Sequence, residues 1–195
     1  MAGRRLVAGA VPVVLAVLAL GGAGGTVSAQ SPAASAPAAS PASSVDPAAQ
    51  AGIDALLAIF PDTYDDVALD VRTETGAELL GTLSPDALAA IDAALGTAGK
   101  THTDVSAALA YTSSGGLIAA FRVAGADGTA FVEPFLGALI PPAAEVVRGS
   151  TTIGDRAVTT VTAYAGTLYV FASGDVVWLI GMDEQGATDL IGTLP

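Results

Sequence analysis

Few side chains in this sequence could do chemistry, and their spacing limits what that chemistry could be. His102 is the single histidine. It lies in the run Lys100-Thr101-His102-Thr103-Asp104, which places a base, a carboxylate and hydroxyls close together. Nucleophilic catalysis needs a nucleophile beside a base that a third group orients. With no cysteine in the chain, that nucleophile would be Ser or Thr. Neither a G-x-S-x-G elbow nor an S-x-x-K motif occurs. Ser113-Ser114-Gly115-Gly116 has the composition of a hairpin turn. His102 therefore reads as a histidine of a polar connector, and no catalytic residue is assigned.

Two acidic groups stand out next. Asp62, Asp65 and Asp66 surround Tyr64, and Asp183-Glu184 precede Asp189. Calcium takes about six to eight oxygen ligands. Asp62, Asp65 and Asp66, with the Tyr64 carbonyl, are the weak calcium candidates of the chain. Neither group fits the spacing D-x-[DN]-x-[DN]-G, and Asp183 is equally explained as a helix cap. A zinc site usually draws on several His or Cys ligands, which one histidine cannot supply. Two carboxylates suffice in principle for sugar hydrolysis, but aromatic residues that would stack on sugar rings are scarce. The phosphate-cradling patterns G-x-x-x-x-G-K-[ST] and G-x-G-x-x-G are missing. No cofactor is expected.

The elements that would position these residues are legible from periodicity. Asp46-Pro47 opens a helix with Ile53, Leu56, Leu57 and Phe60 on one face. Residues 67–74 alternate like a half-buried strand. Ser84-Pro85-Asp86 is a strong helix start, with Leu88, Ile91 and Leu95 as its stripe. Residues 105–111 and 117–123 read as a hairpin, and 129–140 as a helix that Pro134 either starts or kinks. Residues 143–154 read as a loop or partial strand. Three β-rich runs follow, ending in 176–180, which is apolar on both faces and so suits an interior strand. Asp183 caps a last helix. The stretch 158–164 faintly echoes 105–111, as a duplicated strand–strand–helix unit would. The fold class expected is α+β: an antiparallel sheet of about five or six strands with three or four helices packed mainly on one face.

Composition sets the setting. Arg4 and Arg5 precede the apolar run 6–20, and Val27-Ser28-Ala29 offers small residues for cleavage. Residues 1–29 are expected to be a secretory signal peptide. An uncleaved anchor is the alternative, for which the run is short. Residues 30–45 are nearly all Ala, Ser and Pro, a disordered linker by composition. Residues 46–195 have the size of one globular domain. There Arg72, Lys100, Arg122, Arg148 and Arg156 face all 19 acids of the chain. That balance repels nucleic acid and anionic lipid, and no stable membrane insertion of the mature domain is expected. The functional expectation is an exported non-catalytic domain that binds a protein, peptide or small ligand outside the cytoplasm. The alternatives are a structural or assembly protein of the cell envelope, with 176–180 near a subunit contact, and a secreted hydrolase without a recognisable motif.

Overall fold

A computed structural model describes residues 46–140, 144–163 and 166–195. The expected signal peptide and linker lie outside the described residues, as do Tyr164 and the Pro141-Pro142 pair. From Asp46 onward the chain runs α1 (Pro47–Leu57), β1 (Thr63–Tyr64), β2 (Val67–Ala68), β3 (Arg72–Thr75), α2 (Gly76–Leu80) and α3 (Pro85–Thr97). It continues with β4 (Val105–Tyr111), β5 (Leu117–Val123), α4 (Val132–Leu139), β6 (Val147–Ile153), β7 (Arg156–Ala163), β8 (Gly166–Ser173), β9 (Val176–Gly181) and α5 (Glu184–Thr193). The class is the expected α+β. Seven strands form one antiparallel sheet in the order β3-β4-β5-β9-β8-β7-β6, and β1 pairs with β2 in a separate two-stranded ribbon.

The helices divide between both faces of the sheet, where packing mainly on one was expected. Leu56 and Phe60, together with Ala187, Leu190, Ile191 and Leu194, cover the first face, against Ala108, Ile118, Val158, Phe171 and Trp178. Leu79, Leu80, Ile91, Leu95, Phe131, Phe135 and Leu136 cover the second, against Val105, Ala119, Phe121, Val170 and Leu179. The physical reason lies in the central strands. β4, β5 and β9 carry apolar residues at odd and even positions alike, so each side of the sheet must be shielded from water. β9 sits between β5 and β8. Trp178 is 0% exposed and stacks with Phe60 and Phe171 at centroid distances of 5.8 and 6.4 Å.

Local chemistry starts the helices where the sequence suggests. Asp46 accepts from Ala48 N at 2.8 Å ahead of Pro47, Ser84 from Ala87 N at 3.4 Å, and Asp183 from Gly186 N at 2.8 Å. Pro134 falls in the first turn of α4, where a missing N–H breaks no helical bond. Gly128–Phe131 before it is a 3-10 helix. The run 67–74 is not one strand. Val67 and Ala68 fold back on Thr63 and Tyr64 across Asp65-Asp66, while Leu69 and Val71 tuck against the first-face core before β3 begins. The two helices that end the echoing stretches, α4 and α5, lie on opposite faces. The echo therefore does not extend to a symmetric pair of units.

Candidate functional site

His102 is held in a 3-10 turn, His102–Asp104, between α3 and β4. Asp104 closes that turn by accepting from Thr101 N at 2.8 Å and from Thr101 Oγ1 at 3.0 Å. His102 itself meets Asp92 of α3, Nε2 to Oδ1 at 2.6 Å. Its partner is thus ten positions upstream, not the Asp104 that sequence proximity suggests. No local motif announces Asp92; only the docking of α3 on the sheet brings it there. The pair borders an open depression of about 430 Å³ that also includes Leu95, Lys100 and Thr103. A carboxylate-oriented histidine is two parts of a catalytic triad. The adjacent hydroxyls of Thr101 and Thr103 bond each other at 2.9 Å and not His102. With side chains 43% and 47% exposed, the pair acts as a surface latch between α3 and the start of β4.

The approach of α2 fixes this corner. Thr75 and Glu78 form a capping box: Glu78 Oε2 accepts from Thr75 N at 2.9 Å and from Thr75 Oγ1 at 2.8 Å. These bonds hold the Glu78 carboxyl below its ordinary value. A Cβ on Gly76 would collide with the His102 carbonyl oxygen and lie 2.7 Å from Val105 Cβ. Glu74, one residue before the box, is pushed upward by burial and then by the Glu78 charge. Its Oε2 has no hydrogen-bond partner among the described residues.

The calcium candidates fall at the tip of the β1–β2 ribbon. Asp65 and Asp66 both have positive φ, 50° and 60°, and Asp62, Asp65 and Asp66 are exposed. Tyr64 lies beside the first turn of α5, so close that a Cβ on Gly186 would be 2.5 Å from its hydroxyl. Burial raises the Tyr64 phenol first, and Asp65, Asp183 and Asp189 add to the rise. The fold thus brings the two acidic groups of the sequence to one end of the molecule. Among the described residues, no group of three or more Asp, Glu, His or Cys side chains is placed to hold a metal ion. Ser113 and Ser114 occupy the β4–β5 turn, where Thr112 Oγ1 lies 3.0 Å from Ser114 Oγ and accepts from Gly116 N at 2.8 Å.

A long exposed strand lies in a segment that sequence periodicity leaves as loop or partial strand. β6 is a full strand, registered with β7 over Val147↔Thr162 through Ile153↔Arg156 without a bulge. It is the outer strand of the sheet, exposed at every residue but Ile153, and Val147 is 73% exposed. The opposite edge, β3, is only four residues long, carries Arg72 and Glu74, and has α1 packed beside it. Short, charged or covered edges resist pairing with other chains. β6 is longer, has no proline or bulge, and is touched by α5 on the first face. Its one charged residue, Arg148, is paired with Glu133 of α4 at 2.5 Å.

The turn between β6 and β7 defines which amides face away from β7. Gly154-Asp155 is a two-residue loop with Gly154 at φ 63°, as a type II′ hairpin requires. In such a hairpin the flanking residues, Ile153 and Arg156, form a hydrogen-bonded pair, and the pattern then alternates along the ladder. Val147, Gly149, Thr151 and Ile153 therefore bond to β7. Arg148, Ser150 and Thr152 point their N–H and C=O groups outward.

No protein-family model matches this chain, and neither a curated protein nor a solved structure matches it.

Proposed function

We propose that this is an exported, non-catalytic binding domain that engages a protein or peptide segment by strand addition along β6. The observation that carries this reading is the seven-residue outer strand whose outward backbone groups have no partner among the described residues, with no proline or bulge and with its single charge, Arg148, paired to Glu133. Main-chain pairing supplies affinity in such complexes, and side chains at alternating positions supply selectivity. Val147, Gly149 and Thr151 project on the first face, and Arg148, Ser150 and Thr152 on the second. An arginine-initiated apolar leader and an Ala/Ser/Pro-rich stretch ahead of residue 46 support export and a spacer. An acidic chain with no cysteine suits a domain kept soluble outside the cell by charge and packing.

The test is selection of a random peptide library on the expressed full chain, followed by site-resolved amide exchange with each selected peptide. Peptides that slow exchange at Arg148, Ser150 and Thr152 are expected. Their binding should fall at least about tenfold in Ser150→Pro, which removes an outward donor. Selected peptides that leave those three amides unchanged, or a library that yields none, would overturn the reading.

A further inference from the structure

Resting on β6 as a docking edge, we infer what docks there: β6 of a second copy of this chain, paired antiparallel about a two-fold axis at Ser150. The sequence Val147-Arg148-Gly149-Ser150-Thr151-Thr152-Ile153 is compatible with itself in that register. Ser150 meets Ser150, Gly149 meets Thr151, Arg148 meets Thr152 and Val147 meets Ile153. Within these seven positions no like charges stand opposite one another, which directly opposed pairs would penalise; just beyond them the register brings Glu145 towards Asp155 of the other copy at each end, a repulsion that salt relieves. Val147, the most exposed large apolar side chain among the described residues, gains an apolar neighbour.

The backbone agrees with the side chains. Ser150 lies at the centre of the three outward-facing residues, so a two-fold axis there passes through a hydrogen-bonded pair. Arg148 and Thr152 then form the flanking hydrogen-bonded pairs, giving about six interchain bonds. A two-fold axis perpendicular to the sheet keeps each face on its own side. The two seven-stranded sheets become one continuous sheet with helices above and below.

Charge explains why this strip and not another would tolerate a copy of itself. The chain carries a formal net charge of −12, so two copies repel at long range. β6 contains no acid, and Glu133 neutralises its Arg148. Repulsion between the bodies is screened beyond about 8 Å at physiological ionic strength, while the strand contact is not weakened by salt. Salt therefore strengthens this dimer, and it would weaken the complex of the same edge with a cationic partner. A single strand pair is a small contact beside the ~1,200 Å² of a standard stable interface, so the dimer is a weak, reversible one.

Sedimentation of the expressed full chain from about 1 μM to 1 mM, the range in which weak contacts dissociate, tests this. The wild type is expected to pass from monomer to dimer, with the midpoint moving to lower concentration as salt rises. Ser150→Lys and Ser150→Glu should each weaken association at least about tenfold, because like charges meet at the axis. An equimolar mixture of the two should restore the dimer. A wild type that stays monomeric overturns the inference. So do variants that dimerise like the wild type, or a mixture that stays monomeric. If the wild type is monomeric while selected peptides still protect Arg148, Ser150 and Thr152, only the second copy is overturned and the docking edge stands. If neither association occurs, both fall.

Discussion

Gly76 has no side chain because a backbone carbonyl occupies the space. A methyl group there would strike the His102 carbonyl oxygen and crowd Val105, and neither can retreat without moving the start of β4. Gly76→Ala is expected to destabilise by about 2–4 kcal/mol, since overpacking against backbone is not relieved by a rotamer change. Gly96, in the last turns of α3, meets nothing within 4 Å. Gly96→Ala should stabilise by about 0.4–1 kcal/mol through lower unfolded-state entropy. Denaturant titration of both variants checks the contrast. Glu74 makes a pH prediction at the same scale. Its folded-state pKa is raised above the ordinary 4.5, by burial and then by Glu78. Its contribution is therefore most favourable below the unfolded value and is lost as pH rises through the folded one. Glu74→Gln should raise Tm at neutral pH, and the gain should vanish in melts below about pH 4. Of the site residues, His102 and the Asp62–Asp65–Asp66 group were visible in the sequence as types. Asp92 was not, because its place beside His102 depends on how α3 docks and on no local spacing.

At the scale of the element, β6 differs from the strands the sequence reveals clearly. β7 and β9 carry apolar residues on covered faces, so alternation or a continuous apolar run identifies them. β6 carries Arg, Gly, Ser and Thr on both sides. Neither face is buried over most of its length, so the burial pattern that marks a strand has nothing to act on. What makes it a strand is the type II′ turn at Gly154-Asp155 and the register it imposes on β7. That register gives a prediction about single residues. Thr151 bonds to β7, so Thr151→Pro should cost roughly 2–4 kcal/mol. Ser150 faces outward, so Ser150→Pro should cost under about 1 kcal/mol. Equal losses for the two in denaturant titration would contradict the alternation. Most other elements were legible for identifiable reasons. Asp46-Pro47, Ser84-Pro85 and Asp183 cap their helices as their chemistry demands. Val67 and Ala68 misled because their alternation with later residues hid a ribbon turn made by two non-glycine residues at positive φ.

For the whole molecule, the two-sided apolar character of β4, β5 and β9 dictates a sheet shielded by helices on each face. The stretch 176–180, an interior strand by its apolar run and near a subunit contact in the assembly alternative, is buried in the middle of that sheet, with Trp178 between Phe60 and Phe171. Its apolar residues are all consumed by the interior. The two ends of the sheet are unequal: β3 is short and flanked by α1, whereas β6 is long and exposed over six of its seven residues. A layered domain with one open edge is suited to extending its sheet with another strand. The most direct measurement is site-resolved amide exchange along β6 in the full chain, at low and at high protein concentration. In dilute solution, Gly149, Thr151 and Ile153 should exchange slowly while Arg148, Ser150 and Thr152 exchange nearly freely, and the second set should slow as concentration rises. Protection of Arg148, Ser150 and Thr152 in dilute solution would show the edge already covered, and free exchange at every concentration would show that no second copy binds there.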